Sequence, residues 1–174
     1  MSAGIFETPL GPMVAVVDGE GALERLSFLH GRERTDPSAV PDAPSCRVVA
    51  RQVQEYFDGR RRAFELALDP EGTPFQRDVW SALVKVPYGE RASYSDIAEA
   101  VGRPEAVRAV GAANGANPIA IVIPCHRVLG RDGSLTGYGA GLPIKRWLLD
   151  HEAGMRPLPL PLAVSFAPRR RPAS

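Results

Sequence analysis

The sequence predicts an α+β protein in which a lobe with an antiparallel sheet precedes a mostly helical lobe. Residues 12–28 contain two β-branched and apolar runs separated by turn residues, a pattern typical of a hairpin. From Thr73 onward, apolar residues recur at helical spacing and helix-capping signals repeat. These observations place the domains at 1–72 and 73–154, and they leave 155–174 as a mobile, proline-rich tail.

The composition narrows the class of protein. Of 174 residues, 44% are apolar and 24% are charged, which is ordinary for a soluble globular chain. The sequence has no basic, apolar leader and no run of about 18 apolar residues, so we expect a cytoplasmic protein without membrane contact. The net charge is +1, but residues 1–90 carry 10 basic and 14 acidic side chains, whereas 91–174 carry 11 and 6. This asymmetry is either chance or the trace of a polyanion site.

The first lobe continues with a loop, a helix and a strand. Residues 32–45 are polar and contain prolines, which predicts a surface loop. After Ser45, apolar residues at helical spacing predict a helix that stops at Gly59. The apolar run 64–68 then predicts another strand.

Capping signals mark the helices of the second lobe. Thr73 opens a capping box followed by proline, which predicts a helix over 74–86. Ser93 opens another capping box, and the short helix that follows is expected to stop at Gly102. The last helix is expected to begin at Pro143 and to end within residues 151–154.

A further helix is predicted from Pro104 and completes a helix-turn-helix pattern. Beyond two valines it consists mainly of small residues, including a glycine that costs a helix about 1 kcal/mol. A face this smooth indicates that another surface approaches closely. Tight helix packing and a nucleic-acid groove both explain it, and Arg108 within the face favours the groove.

The stretch IAIVIPCHRV, residues 119–128, places a thiol, an imidazole and a guanidinium side by side after an apolar run. Its five leading apolar residues predict a buried strand, and Pro124 is expected to end sheet pairing there. Cys125 would then lie at the mouth of the core, where a nucleophile is useful. In a reducing compartment it is expected to be a free thiol. The alternative is that Cys125 serves as a small buried hydrophobe.

Four segments within 73–153 resemble the O6-alkylguanine-DNA alkyltransferases, also called methylated-DNA–protein-cysteine methyltransferases. The segments are PYGERASYSDIA, RAVGAANGANPIAIVIPCHRV, TGYGAG and KRWLLDHE. The resemblance implies a ribonuclease-H-like first lobe and a winged-helix-like second lobe with the helix-turn-helix. It also implies repair by direct reversal, in which one alkyl group moves irreversibly from O6 of guanine to the protein, with O4 of thymine as a second candidate position.

The resemblance assigns the catalytic roles. Cys125 would accept the alkyl group, His126 would act on it as a base through a water, and Glu152 would orient His126. Asn117 corresponds to the family's hinge asparagine, and Tyr94 to the tyrosine that assists protonation of the leaving guanine.

The resemblance also implies the binding residues and the partner. The partner would be double-stranded DNA, held through its minor groove by a monomeric protein with the nucleotide flipped out. Arg108 would fill the gap left in the base stack. The DNA-binding residues would be Ser93, Tyr94, Arg108, Ala109 and Gly111. The pocket for the alkylated base would be formed by Pro124, Val128, Tyr138 and Gly139.

Two other functions remain as alternatives. A Cys-His-Glu hydrolase explains the catalytic residues but not the smooth helix or Arg108. A DNA-binding module that senses lesions without repairing them would lack the acceptor, whereas Cys125 is present. We expect neither cofactor nor metal, since Cys46 and His30 are the only good soft ligands in the N-terminal half.

Overall fold

The computed structural model describes residues 1–29, 40–41, 44–154 and 165–166. The α+β class is confirmed: a small sheet is accompanied by several helices. Most of the expected surface loop 32–45 and almost all of the expected mobile tail 155–174 lie outside the described residues. Among the described residues, no helix has the length and apolar character needed to cross a membrane.

The sheet is built on a three-stranded antiparallel meander. The strands β1 (Ser2–Thr8), β2 (Gly11–Val17) and β3 (Leu23–Phe28) pair in that order. The predicted hairpin over 12–28 is therefore confirmed. The strand β1 escaped prediction because its small, polar and apolar residues do not alternate clearly.

Short parallel strands extend the sheet at both sides. The two-residue strand β4 (Val40–Pro41) pairs with β1. On the other side, β5 (Ala67–Leu68) pairs with β3, and β8 (Ser165–Phe166) pairs with β5.

The predicted strand over 64–68 is largely wrong, because only Ala67–Leu68 pairs. The side chain of Gln52, on the neighbouring helix, both donates to the carbonyl of Glu65 and accepts from its N–H. A side-chain amide thus satisfies the backbone groups that a strand would have paired.

The helix α1 (Pro44–Phe57) packs on the sheet through a stripe of buried apolar residues. Because Gly4 of β1 has no side chain, α1 can approach this strand closely. A Cβ added to Gly4 would lie 3.0 Å from the Cβ of Cys46. Cys46 is accordingly buried in the core and forms no disulfide with Cys125.

The second part of the chain begins with α2 (Pro74–Val84), whose capping box at Thr73 is present as predicted. The helix α3 (Tyr94–Ala100) is likewise capped by Ser93, which directly follows the short strand β6 (Ala92–Ser93). The left-handed backbone of Gly102, with φ of 76°, lies just after α3, where the sequence places the stop.

The helix α4 (Val107–Gly115) starts three residues later than predicted, because Pro104 lies in a turn closed by the N–H of Ala106 donating to the carbonyl of Arg103. The indole N–H of Trp80 donates to the carbonyl of Ala113 at 2.8 Å and fixes α4 against α2. The helices α3 and α4 pack against each other and, with the turn between them, make up the segment that the sequence predicts as a helix-turn-helix.

The predicted strand over 119–123 is wrong, although the segment is mostly buried, as expected. Ile119 makes one isolated bridge to Leu26 of β3, and the chain then folds into a tight turn with Ile121 at a φ of 71°. Asn117 stabilises this turn from both ends: it accepts from the N–H of Ile119 and donates to the carbonyl of Ile123.

A short 3-10 turn, Cys125–Arg127, follows and leads into β7 (Val128–Leu129), which pairs with β6. The last helix of this part, α5 (Leu142–Ala153), runs past the turn. The cysteine therefore lies between the sheet, the helix-turn-helix and α5.

Candidate active site

Cys125 forms part of the wall of a cavity of about 210 Å³. Its side chain is nearly buried, with 6% of the residue's surface exposed. Asn114 and Gly115 of α4, Asn117, Ala120, the loop 137–140 and the end of β3 complete the lining. Tyr138 and Gly139, two of the expected pocket residues, belong to that loop, whereas Pro124 and Val128 are buried outside the lining.

The residue after the cysteine forms a buried pair with a carboxylate. Nε2 of His126 lies 2.6 Å from Oε2 of Glu152, and both side chains are almost completely inaccessible to solvent. The structure thus brings Cys125, His126 and Glu152 into one region, as the sequence predicts. Nδ1 of His126 is also buried and has no hydrogen-bond partner among the described residues.

Glu152 is the centre of a larger network. Arg127 donates to it through Nε at 2.7 Å and through a second guanidinium nitrogen at 3.2 Å. The hydroxyl of Tyr56, on α1, donates to it at 2.6 Å. Arg127 also donates to the carbonyl of Val86, just beyond α2. One carboxylate therefore joins the two halves of the chain.

Burial and neighbouring charges shift the pKa values of Glu152 and His126 in this network. Burial alone would raise the pKa of Glu152, but His126 and the Arg127 guanidinium outweigh it and hold that pKa well below its usual range. Burial lowers the pKa of His126, although Glu152 opposes this effect. A neutral His126 that donates from Nε2 to the carboxylate leaves Nδ1 as the acceptor. This is the nitrogen that can take a proton from a nucleophile.

The surroundings of Cys125 favour the protonated thiol. Burial raises the pKa of Cys125, while Asn117 and the Lys145 cation oppose that rise. Since the thiolate is the nucleophile, the arrangement needs a base to take up the thiol proton. His126 is the buried base next in the chain.

Lys145 is a site residue that the sequence prediction missed. It is fully buried, and its ammonium donates to the carbonyls of Val128 at 2.7 Å and Thr136 at 2.9 Å. It thereby fixes the cavity loop and places a positive charge near Cys125. A signal was available, because Lys145 lies on the same face of α5 as Leu148, Leu149 and Glu152.

Three other contributors were also missed: Asn114, Tyr56 and Arg127. Arg127 directly follows Cys125 and His126 in the sequence, but only the folded chain brings it into bidentate contact with Glu152. Nδ2 of Asn114 lies 3.5 Å from the carbonyl oxygen of Cys125. Neither Asn114 nor Tyr56 carries a local signal that separates it from ordinary core residues.

The expected DNA-binding residues lie on the helix-turn-helix, outside the cavity lining. Arg108 and Ala109 are exposed on α4, while Ser93 caps α3. A Cβ on Gly111 would lie 3.9 Å from the ring of Tyr94, so the smooth part of α4 also accommodates this tyrosine. The hydroxyl of Tyr94 donates to the carbonyl of Thr136 at 3.2 Å, which ties α3 to the cavity loop.

Among the described residues, one group of acidic side chains offers oxygen ligands that could hold a metal ion. Asp18, Glu24 and Asp69 bring carboxylate oxygens within 4.8 Å of one another in the first lobe. Asp69 also forms an ion pair with Arg77 at 3.3 Å. These oxygen ligands are not part of the cavity lining. The soft-ligand candidate His30 lies outside the described residues.

The fold and the cavity define a class: an α+β protein with a buried cysteine in a cavity wall, followed in the chain by a histidine that pairs with a buried carboxylate. Residues 74–154 match the family model described as the DNA-binding domain of 6-O-methylguanine DNA methyltransferase. A methylated-DNA–protein-cysteine methyltransferase from Methanosarcina barkeri is 49% identical over 85% of this chain and 94% of its own length. The chain belongs to the methylated-DNA–protein-cysteine methyltransferase family.

Other relatives agree with this family. The constitutive methylated-DNA–protein-cysteine methyltransferase of Bacillus subtilis is 45% identical over 84% of this chain and 92% of its own length. The crystal structure of Mycobacterium tuberculosis OGT in complex with DNA has a TM-score of 0.81 and 43% identity, and it covers 88% of this chain and 94% of the solved chain. The similarity therefore extends well into the residues that precede the region of the family model.

Proposed function

We propose that this protein repairs DNA by transferring a methyl or larger alkyl group from O6 of guanine to Cys125, once per molecule. The observation that carries the proposal is a buried cysteine in a cavity wall beside the His126–Glu152 pair. The named activity of the relatives and the DNA complex of the similar structure support the same assignment.

The chemistry follows from the contacts. His126 takes the thiol proton through its free Nδ1, with a water as the bridge, and Glu152 stabilises the imidazolium that results. The sulfur of Cys125 then forms a bond to the alkyl carbon as the carbon–O6 bond breaks. Guanine leaves with the bond's electrons and takes a proton, for which the hydroxyl of Tyr94 is the donor. The thioether has no good leaving group, so the protein is consumed.

The hypothesis that the protein is a hydrolase is less favoured. Hydrolysis would need water to release the group from sulfur, and it would leave the helix-turn-helix without a role. A carbon–sulfur thioether resists hydrolysis, which fits a protein that acts once.

DNA is held by the helix-turn-helix. O6 of guanine is buried in a duplex, so the nucleotide must be rotated out at a cost of a few kcal/mol before it can enter the cavity. The exposed, small-residue face of α4 suits close approach to the minor groove, and it carries too few long polar side chains to read base edges. Arg108 fills the space that the rotated base leaves.

The finer structural assignments belong to the same proposal. The first lobe, 1–72, is ribonuclease-H-like, and the second lobe, 73–154, is winged-helix-like. The protein acts as a monomer in the cytoplasm. Pro124 and Val128 support the pocket from behind its lining, while Tyr138 and Gly139 contact the base.

Intact-mass spectrometry tests the proposal directly. The protein is mixed with an excess of duplex containing one O6-methylguanine, and peptide mapping then locates the modification. We expect one methyl group per molecule, on Cys125, and restored guanine in the DNA. Repeated turnover beyond one equivalent, or no transfer to protein, would contradict the proposal and favour the hydrolase or the lesion-binding module.

Replacing Arg108 with alanine tests the flipping step. Loss of the side chain that fills the base stack is expected to slow repair of duplex DNA on the order of tenfold to a hundredfold, since part of a few kcal/mol of unstacking is no longer offset. Transfer from the free base O6-benzylguanine should be unchanged, because it needs no flipping. Single-turnover rates on the two substrates measure the difference.

The matched control is Arg47→Ala, which removes the same charge from an exposed position on α1. It is expected to leave both rates unchanged. If Arg108→Ala slows both substrates by the same factor, Arg108 does not act in the base stack.

A further inference from the structure

Asn114 is a cavity residue whose hydrogen-bonding capacity is almost unused. It lies on α4 with 5% of its surface exposed, and it lines the cavity together with Cys125. A side-chain amide offers two donors and an oxygen acceptor. Here the nitrogen makes one long contact of 3.5 Å to the carbonyl of Cys125, and Oδ1 is buried without a partner among the described residues. Buried polar atoms in this state are uncommon.

The amide orientation decides which atom is available. Nδ2 faces the carbonyl oxygen of Cys125, and exchanging the two ends of the amide would place two oxygens against each other. The unpartnered atom is therefore the oxygen, which can only accept a hydrogen bond. Among the described residues, the cavity therefore provides no hydrogen-bond donor to Oδ1 of Asn114.

O6-alkylguanine, the substrate of the proposed function, supplies one such hydrogen-bond donor. The assignment of this donor to Asn114 rests on the proposed function. In O6-alkylguanine the ring nitrogens N1, N3 and N7 and the oxygen O6 carry no hydrogen, so the exocyclic 2-amino group is the donor of the base. An O4-alkylated thymine carries no N–H on its ring. Guanine's 2-amino group is likewise what distinguishes it in the minor groove.

We propose that Asn114 determines specificity by accepting a hydrogen bond from the 2-amino group of the flipped O6-alkylguanine through Oδ1. The last side-chain torsion of asparagine has a broad range, so the amide can turn toward a base without movement of α4. The long contact to Cys125 is easily given up. Asn114 thus favours alkylated guanine over bases that lack the amine.

The experiment compares two duplexes that differ only in that amine: one with O6-methylguanine and one with O6-methylhypoxanthine. Single-turnover methylation of Cys125 is followed by mass spectrometry for the wild type, Asn114→Ala and Asn114→Asp. The helix α4 already contains several alanines, so the alanine variant is expected to fold. The aspartate variant keeps an acceptor oxygen in the same place.

We expect the wild type to prefer the duplex with the amine, and Asn114→Ala to lose about threefold to tenfold of that preference, the value of one neutral hydrogen bond. Asn114→Asp should retain the preference even if both rates fall. Equal slowing of both substrates by Asn114→Ala, or loss of the preference in Asn114→Asp as well, would overturn the inference.

Tyr138→Phe serves as the comparison, because the Tyr138 hydroxyl is another buried, unpartnered atom in this cavity. It is expected to leave the preference at the wild-type value. If Tyr138→Phe abolishes the preference and Asn114→Ala does not, the amine contacts Tyr138 and our assignment is wrong. A wild type that methylates itself from neither duplex would instead overturn the proposed function, and this inference with it.

Discussion

Cys125→Ser is expected to abolish methyl transfer while the protein remains folded and bound to DNA. At neutral pH a serine hydroxyl is a far weaker nucleophile than a thiol, and His126 cannot compensate for the difference at an alkyl carbon. The substitution is close in shape and lies at a cavity wall, where a hydroxyl can be accommodated. Intact-mass spectrometry measures transfer, and a gel-shift titration with undamaged duplex measures binding.

Cys46→Ala is the control for this experiment. Cys46 is buried between α1 and the sheet, away from the cavity lining, so its loss should leave one methyl group on Cys125. A methylated Cys125→Ser variant, or a methyl group mapped to Cys46 in the wild type, would show that Cys125 is not the acceptor.

Glu152→Gln is expected to lower both the stability of the fold and the rate of transfer. Glu152 is almost fully buried and accepts from Tyr56 and Arg127, so the change leaves the Arg127 cation without its counter-charge. Breaking a buried ion pair from one side costs about 3–5 kcal/mol of unfolding free energy. The rate of transfer should also fall, because a neutral amide cannot stabilise a protonated His126. Urea unfolding and single-turnover kinetics measure the two effects.

The stability difference should depend on pH in a defined direction. The pKa of Glu152 in the folded protein is held far below its ordinary value of about 4.5, to which it returns on unfolding. The stabilisation is therefore fully present above about pH 4.5. As the pH falls further, the unfolded chain takes up the proton first, and the wild type loses up to about 1.4 kcal/mol per pH unit relative to Glu152→Gln.

Asp150→Asn provides the control, since Asp150 is an exposed carboxylate on the same helix. The unfolding free energy of the Asp150→Asn variant is expected to stay within about 0.5 kcal/mol of that of the wild type. A difference between wild type and Glu152→Gln that does not change between pH 6 and pH 3 would contradict the assigned role of the carboxylate.

The elements that the sequence predicts well are those with local causes. The capping boxes at Thr73 and Ser93 define the starts of α2 and α3, because the cap bonds form within four residues. The family resemblance likewise points to Cys125, His126 and Glu152, which the fold brings together.

The errors come from contacts that the local pattern does not contain. The apolar run 119–123 satisfies the criteria for a buried strand, but Asn117 pairs with both of its ends and replaces a neighbouring strand. Gln52 has the same effect on residues near Glu65. Lys145 was overlooked because a lysine is normally a surface residue, and only the fold supplies the carbonyls that accept from it.

The carboxylate that joins the two halves of the chain also leads to an expectation about the order in which contacts form during folding. Tyr56 and Glu152 are 96 residues apart, and Glu152 and His126 are 26 apart. Contacts at long sequence separation form late, because the loop entropy must be overcome before they contribute. During synthesis Cys125 and His126 emerge before Glu152, so we expect the His126–Glu152 pair to form only once α5 has docked.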